Sequence, residues 1–162
     1  MSTSLPNYAR MFQLIEEVFE TRQDADQIQV TNQELKKLQK LHPACLSEKA
    51  DTNGPVIWVL LFPTSQLLME AFLAHKISEK ALLSKTNMNG VNDCIYLCSA
   101  TTLPEYRNQG ETKRLAIAAI QEISKVYPIK TLFVWPFTKD GLSLAKSISK
   151  TCGLALREKS KI

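Results

Sequence analysis

Two apolar segments rich in β-branched and aromatic residues, CIYLCSATTL (94–103) and TLFVW (131–135), flank an amphipathic helical stretch, and another helical stretch follows the second segment. A helix between two strands makes a crossover connection, and crossovers join parallel neighbours of one sheet with a right-handed turn. Strand, helix, strand, helix in that order therefore demands a partly parallel sheet covered by helices. A third apolar run, VIWVLLF (56–62), follows the turn residues Asn53-Gly54-Pro55 and does not alternate. Such runs mark strands buried on both faces. The expected fold class is α/β (α+β), with a mixed, partly parallel central sheet flanked by helices.

The rest of the chain reads as helices and connections. Tyr8, Met11, Phe12, Ile15, Val18 and Phe19 recur at helical spacing, with Glu16, Glu17 and Glu20 on the other side. A polar connection from Arg22 to Gln29 leads to a capping-box pair, Thr31 and Glu34. The helix behind it carries Leu35, Leu38 and Leu41 and stops near His42-Pro43. Pro63-Thr64-Ser65 opens a helical segment with Leu67, Leu68, Ala71 and Phe72 on one face, Ser78 caps a short helix through Leu83, and Asn87 to Asn92 form a loop. Leu115, Ala119, Ile123 and Val126 set a helix behind Gly110 that Pro128 ends. A further helix around Leu142, Ala145, Ile148 and Ser149 stops near Gly153, and LALRE supplies a last strand. No repeat, low-complexity tract or linker divides the 162 residues, which read as a single domain, 1–162.

Composition removes several classes of function. The longest apolar run, Val56 to Phe62, is about a third of the roughly 20 residues a membrane span needs. The opening MSTSLPNYARMF lacks the basic and apolar regions of a secretory signal, so no membrane association and a cytoplasmic location are expected. Cys45, Cys94, Cys98 and Cys152 then read as free thiols, with Cys94 and Cys98 on one face of a strand as small buried groups. His42 and His75 stand in no metal-ligand spacing, so no metal is expected. The net charge of +4 is mildly basic. Basic residues are spread along the chain without interleaved aromatics, which argues against nucleic acid as a partner.

The most specific stretch is TTLPEYRNQGETKRL (101–115), which puts a lone glycine between a strand and a helix, with Arg107 before it and Lys113 and Arg114 after it. A helix N-terminus offers unpaired N–H groups and the positive end of the helix dipole. Gly110 removes the side chain where an anion would approach, and the flanking cations suit a phosphate.

The run Pro104-Glu105-Tyr106-Arg107-Asn108-Gln109-Gly110, after an apolar strand and before an amphipathic helix, resembles the acyl-CoA-binding segment of the GNAT superfamily of N-acetyltransferases, whose motif is Q/R-x-x-G-x-G/A; the first four positions of that motif match Arg107 to Gly110. The resemblance extends through TLFVWP and LAKSISKTCGL and covers roughly residues 94 to 158. It implies a GNAT-like fold and a transfer of an acetyl or other short acyl group from acetyl-CoA, or another short acyl-CoA, to a primary amine by direct attack. The acceptor would be a small-molecule or protein amine. The backbone of Gln109, Gly110, Glu111 and Thr112, with Arg107, Asn108 and Lys113, would cradle the pyrophosphate. The strand end Thr101, Thr102 and Leu103 would splay from strand 131–135 and hold the pantetheine arm. A homodimer through edge strands or helices fits such a sheet.

Three positions depart from the family pattern. Thr112 replaces the second small residue, where it either crowds a phosphate or binds it through its hydroxyl. Ser149 stands where a tyrosine often protonates the leaving thiolate, and Tyr96 where several relatives carry a catalytic glutamate. Tyr96 and Ser149 are the candidate catalytic residues, against plainer roles as a core aromatic and a helix space-filler. The missing acid and base also admit a catalytically degenerate acyl-CoA sensor or interaction module.

Overall fold

The computed structural model describes residues 5–22 and 32–160. Its elements in order are α1 (Pro6–Arg22), α2 (Asn32–Leu41), β1 (Leu46–Asp51), β2 (Gly54–Thr64), α3 (Gln66–Leu73), α4 (Glu79–Lys85), β3 (Cys94–Thr102), α5 (Glu111–Ser124), β4 (Thr131–Val134), α6 (Lys139–Cys152) and β5 (Ala155–Glu158), with 3-10 turns at Pro43–Cys45 and Pro104–Tyr106. The five strands form one sheet in chain order. β1, β2 and β3 are antiparallel, whereas β3, β4 and β5 are parallel and joined through α5 and α6. The mixed, partly parallel sheet expected from the order of elements is therefore present. Among the described residues no helix is long and apolar enough to cross a membrane.

The register lines up Phe62, Tyr96, Phe133 and Arg157 across β2 to β5 on one face. Phe72 of α3 drops onto this row, 5.2 Å from the Tyr96 ring and 6.1 Å from Phe133, both edge-on. Trp58, two pleats along from Phe62, carries α1 on the same face through Tyr8 and Phe12. The adjacent row, Pro63, Ile95, Leu132 and Leu156, points to the other face. Side-chain caps start α3, α4 and α6: Ser65, Ser78 and Thr138 accept from the N–H groups of Leu68, Ala81 and Gly141.

The structure corrects several readings of the sequence. β1 was not foreseen: LSEKAD is polar because it is an edge strand in which no side chain is fully buried. α5 ends at Ser124, short of Pro128, and buries Ala116, Ala119, Ile120 and Ile123, leaving Val126 exposed beyond its end. Among the described apolar residues of α1 only Met11 is buried, while Phe12 and Ile15 are 55% and 40% exposed. Cys94 and Cys98 are both buried free thiols, and Cys98 is the extra residue of a bulge in β3. The Arg22 to Gln29 connection, past Arg22 itself, and the cap residue Thr31 lie outside the described residues, as do the side chains of Val18 and Phe19.

A polar clasp binds α1 to the turn after β3. Asn7 Nδ2 donates to Asp51 Oδ1 at 3.0 Å, Tyr106 donates to Asp51 Oδ2 at 2.7 Å, and Arg10 donates to both Glu105 oxygens at 2.7 and 2.6 Å. The Arg10 guanidinium holds the Glu105 carboxyl down to about 2, and the Tyr106 hydroxyl lowers that of Asp51. A carboxyl depressed by folding stabilises the fold above its unfolded value, about 4.3 for Glu. That contribution is lost as the pH falls toward the folded value. Stability measured by urea unfolding is therefore expected to drop as the pH falls from about 5 to about 2. The slope in this window should be shallower in Arg10→Gln.

Candidate functional site

β3 and β4 part company halfway along β3. Their pairing runs from Cys94↔Thr131 to Leu97↔Val134 and ends, while β3 stays paired with β2 as far as Thr102↔Ile57. Leu60 faces Ser99 and Leu61 faces Leu97, so Cys98 is an extra residue in β3. A bulge of this kind bends the strand and increases its twist. On the other side β4 runs into Trp135-Pro136, and proline has no N–H with which to continue a ladder. The result is an opening at the C-terminal ends of two parallel strands, where open α/β sheets place their ligands. Ser99 and Ala100 are exposed there, and Thr101 is half-buried.

The chain leaves this opening through a tightly shaped loop. Leu103 is fully buried and anchors the strand end. Arg107 is extended and its Nε donates to the Thr102 carbonyl at 3.0 Å. Asn108 and Gly110 are both left-handed, with φ of 63° and 75°. Asparagine tolerates that region and glycine enters it freely. Gly110 is the N-cap of α5 and provides no capping side chain; the first helical bond runs from Arg114 N–H to the Gly110 carbonyl at 3.0 Å. The N–H groups of Gln109 through Lys113 donate to no acceptor among the described residues. Successive free N–H groups beside left-handed residues form the kind of concavity that accepts an anion.

Charges surround this loop. Glu111, in the first turn of α5, is paired with Lys49 of β1 and with Arg114, each at 2.6 Å, and these two hydrogen bonds lower its carboxyl. Arg114 also donates to the Gln109 carbonyl at 3.0 Å, so its guanidinium folds over Gly110. Lys49 was missed in the sequence because it sits on the edge strand that left no pattern.

The structure gathers the predicted binding residues into one stretch, from Thr101, Thr102 and Leu103 through Arg107, Asn108, Gln109 and Gly110 to Glu111, Thr112 and Lys113. Within it Thr112 uses its hydroxyl on Thr102, with 2.7 Å between the oxygens, and so ties the helix start to the strand end. The two candidate catalytic residues lie elsewhere. Tyr96 is 1% exposed in the aromatic row, and its hydroxyl donates to Glu79 of α4, itself 2% exposed, at 2.5 Å. Ser149 Oγ donates to the Leu154 carbonyl at 2.5 Å across the left-handed Gly153, which makes it part of the α6 stop. Glu79 follows the Ser78 cap directly, and nothing local marks it as a partner of Tyr96.

Burial pushes the thiols of Cys45 and Cys94 up to about 12, which keeps these two protonated and poorly nucleophilic. Among the described residues no group of three His, Cys, Asp or Glu side chains is placed to hold a metal ion. A groove of about 180 Å³ lies between α1 and the end of β3, lined by Arg10, Gln13, Leu14, Glu17, Leu103 and Pro104. Comparison of the chain with protein-family models, curated proteins and solved structures found no match.

Two substitutions test this geometry. At Gly110 an added Cβ lies 3.0 Å from the movable Arg114 Nη1, so the main cost is the left-handed backbone. Gly110→Ala is expected to lower stability in urea by about 1–2 kcal/mol. Tyr96→Phe takes a hydrogen-bond donor from the buried Glu79 carboxylate and should cost about 1–3 kcal/mol in the same measurement.

Proposed function

We propose that the chain is a divergent GNAT-like N-acyltransferase that moves an acetyl or other short acyl group from acyl-CoA to a primary amine. One observation carries the reading: β3 leaves β4 after Leu97 and leads, through left-handed Asn108 and Gly110, into a helix whose first N–H groups have no acceptor among the described residues. The cofactor's pyrophosphate would take the donors from Gln109 to Lys113, with Arg107 beside them. Its pantetheine arm would lie along the edge of β3 beyond the β4 pairing, from Ser99 to Thr102, where backbone N–H groups would polarise the thioester carbonyl while Arg107 holds the Thr102 carbonyl. Direct attack requires the amine to be held in line with that carbonyl, so most of the acceleration falls to positioning.

A second reading is favoured by the hydroxyls of Tyr96 and Ser149. Both are committed to internal hydrogen bonds, which supports a protein that keeps acyl-CoA without turning it over, as a sensor or interaction module. The two readings share the cofactor and differ in the acceptor.

Isothermal titration of acetyl-CoA into the native chain and into Gly110→Trp tests the shared part. Binding to the native chain and its loss in a variant that keeps the native circular dichroism is the expected result. Absence of binding to the native chain removes both readings. Acetyl transfer to an amine in the presence of acetyl-CoA then separates the enzyme from the sensor.

A further inference from the structure

Asn53 and Asn89 each precede a glycine. A glycine lacks the Cβ that keeps its nitrogen away from the preceding side chain, so an Asn-Gly pair closes on itself where its backbone is free to turn. The fold treats the two pairs differently.

Asn53 and Gly54 are clamped. They end the turn between β1 and β2, where Gly54 pairs with Asp51. The Asn53 N–H donates to Asp51 Oδ1 at 2.7 Å, and the Asn53 carbonyl accepts from the Asn7 N–H at 3.0 Å. Asn7 Nδ2 also reaches the Gly54 carbonyl at 3.4 Å. Gly54 is buried against the start of α1, where an added Cβ would lie 3.1 Å from Leu5 and 3.4 Å from Asn7. The peptide unit between the two residues is therefore fixed by a strand on one side and a helix on the other.

Asn89 and Gly90 form the tip of the loop between α4 and β3, and every residue from Asn87 to Val91 is exposed. The base of that loop is fixed by Asn92, which is 1% exposed; its Nδ2 donates to the Asn87 carbonyl at 2.8 Å and to that of Gly90 at 3.4 Å. At the tip the Gly90 N–H makes one turn bond, to the Asn87 carbonyl at 3.1 Å. Among the described residues the Asn89 side chain has no hydrogen-bond partner. A solvated turn with so few contacts opens at little cost.

We propose that Asn89 is a site of self-modification, an intramolecular deamidation in which the Gly90 nitrogen is the nucleophile and water the co-reactant. The Gly90 nitrogen, its proton passed to hydroxide, attacks the side-chain carbonyl carbon of Asn89. A C–N bond forms, the bond to the side-chain nitrogen breaks, and that nitrogen leaves as ammonia with a proton taken back from water. Water then adds to one of the two carbonyls of the cyclic imide and breaks its C–N bond, leaving an aspartate or an isoaspartate. Either product puts a negative charge on the loop. The isoaspartate also adds a backbone methylene inside the span that the Asn87–Gly90 turn bond closes. The loop lies at the start of β3, away from the opening at its other end, so the site stands apart from the acyltransferase reading.

The test is to incubate the full native chain in mildly alkaline buffer and follow both asparagines by peptide mass spectrometry that separates aspartate from isoaspartate. In the folded chain Asn89 is expected to convert at least about tenfold faster than Asn53, and in guanidinium chloride the two rates should converge. Equal rates in the folded chain overturn the proposal, and so does a lead for Asn89 that survives unfolding undiminished. Gly90→Ala is the second arm: its Cβ meets nothing nearer than the Asn87 carbonyl oxygen at 3.4 Å, and Gly90 has no left-handed φ, so this variant keeps the fold. It should slow conversion at Asn89 about tenfold, and an unchanged rate overturns the assignment of the Gly90 nitrogen as the nucleophile.

Discussion

A strand inside a sheet must satisfy hydrogen bonds on both sides, and β3 does so with β4 over only four of its nine residues. The bulge at Cys98 and Pro136 after β4 act from opposite sides to end the ladder at the same level. Past that level β3 is supported by β2 alone. Its free edge is met partly by the protein, since Arg107 Nε takes the Thr102 carbonyl, and is left open at Ser99 and Ala100. The opening is thus a consequence of the ladder's length and does not depend on any one functional side chain.

The loop beyond the strand needs support for its own conformation. Two left-handed residues in three, one of them Asn108, are costly unless neighbouring contacts fix the chain. Those contacts come from distant parts of the sequence: Arg10 of α1 on Glu105, Asp51 of the β1 end on Tyr106, and Lys49 of β1 on Glu111. Gln109 adds a local one, its side chain donating to the Glu105 carbonyl at 2.9 Å. Exposed pairs of this kind contribute little singly, and their value here is geometric, because together they hold the α5 N-terminus against the end of β3.

The parts of this arrangement that were legible in the sequence are those with local physical signatures. VIWVLLF announced a strand covered on both faces, the strand–helix–strand order announced parallel pairing, and Gly110 and Gly153 marked a helix start and a helix end. The β1 edge left no apolar pattern. The Cys98 bulge needs no special residue, so nothing local marked it. Tyr96 was placed on its strand, but its bond to Glu79 exists only because α4 docks on the same face. Lys159 defies the rule that lysines face water, and its place over Phe72 and Trp135 depends on the meeting of α3 with the residues after β4.

The two rims of the opening differ in chemistry, and the difference has a physical origin. The β3 rim ends in a helix start, which concentrates N–H donors and basic side chains and so favours an anion. The β4 rim ends in Trp135 and Phe137 packed beside the buried Phe72, an aromatic cluster without a helix start. With Tyr96 buried on Glu79 and Ser149 closing α6, neither hydroxyl is left to move a proton at the opening. On the proposed reading, the reaction then relies on what the rims themselves supply. The β3 rim would take the phosphates of the donor, and the free edge of β3 would hold the thioester in reach of a neutral amine. On the same reading a proton lost by the amine would pass to water at the exposed Ser99–Ala100 edge, and the transfer would depend on how well two ligands are aligned and much less on the strength of an acid or base.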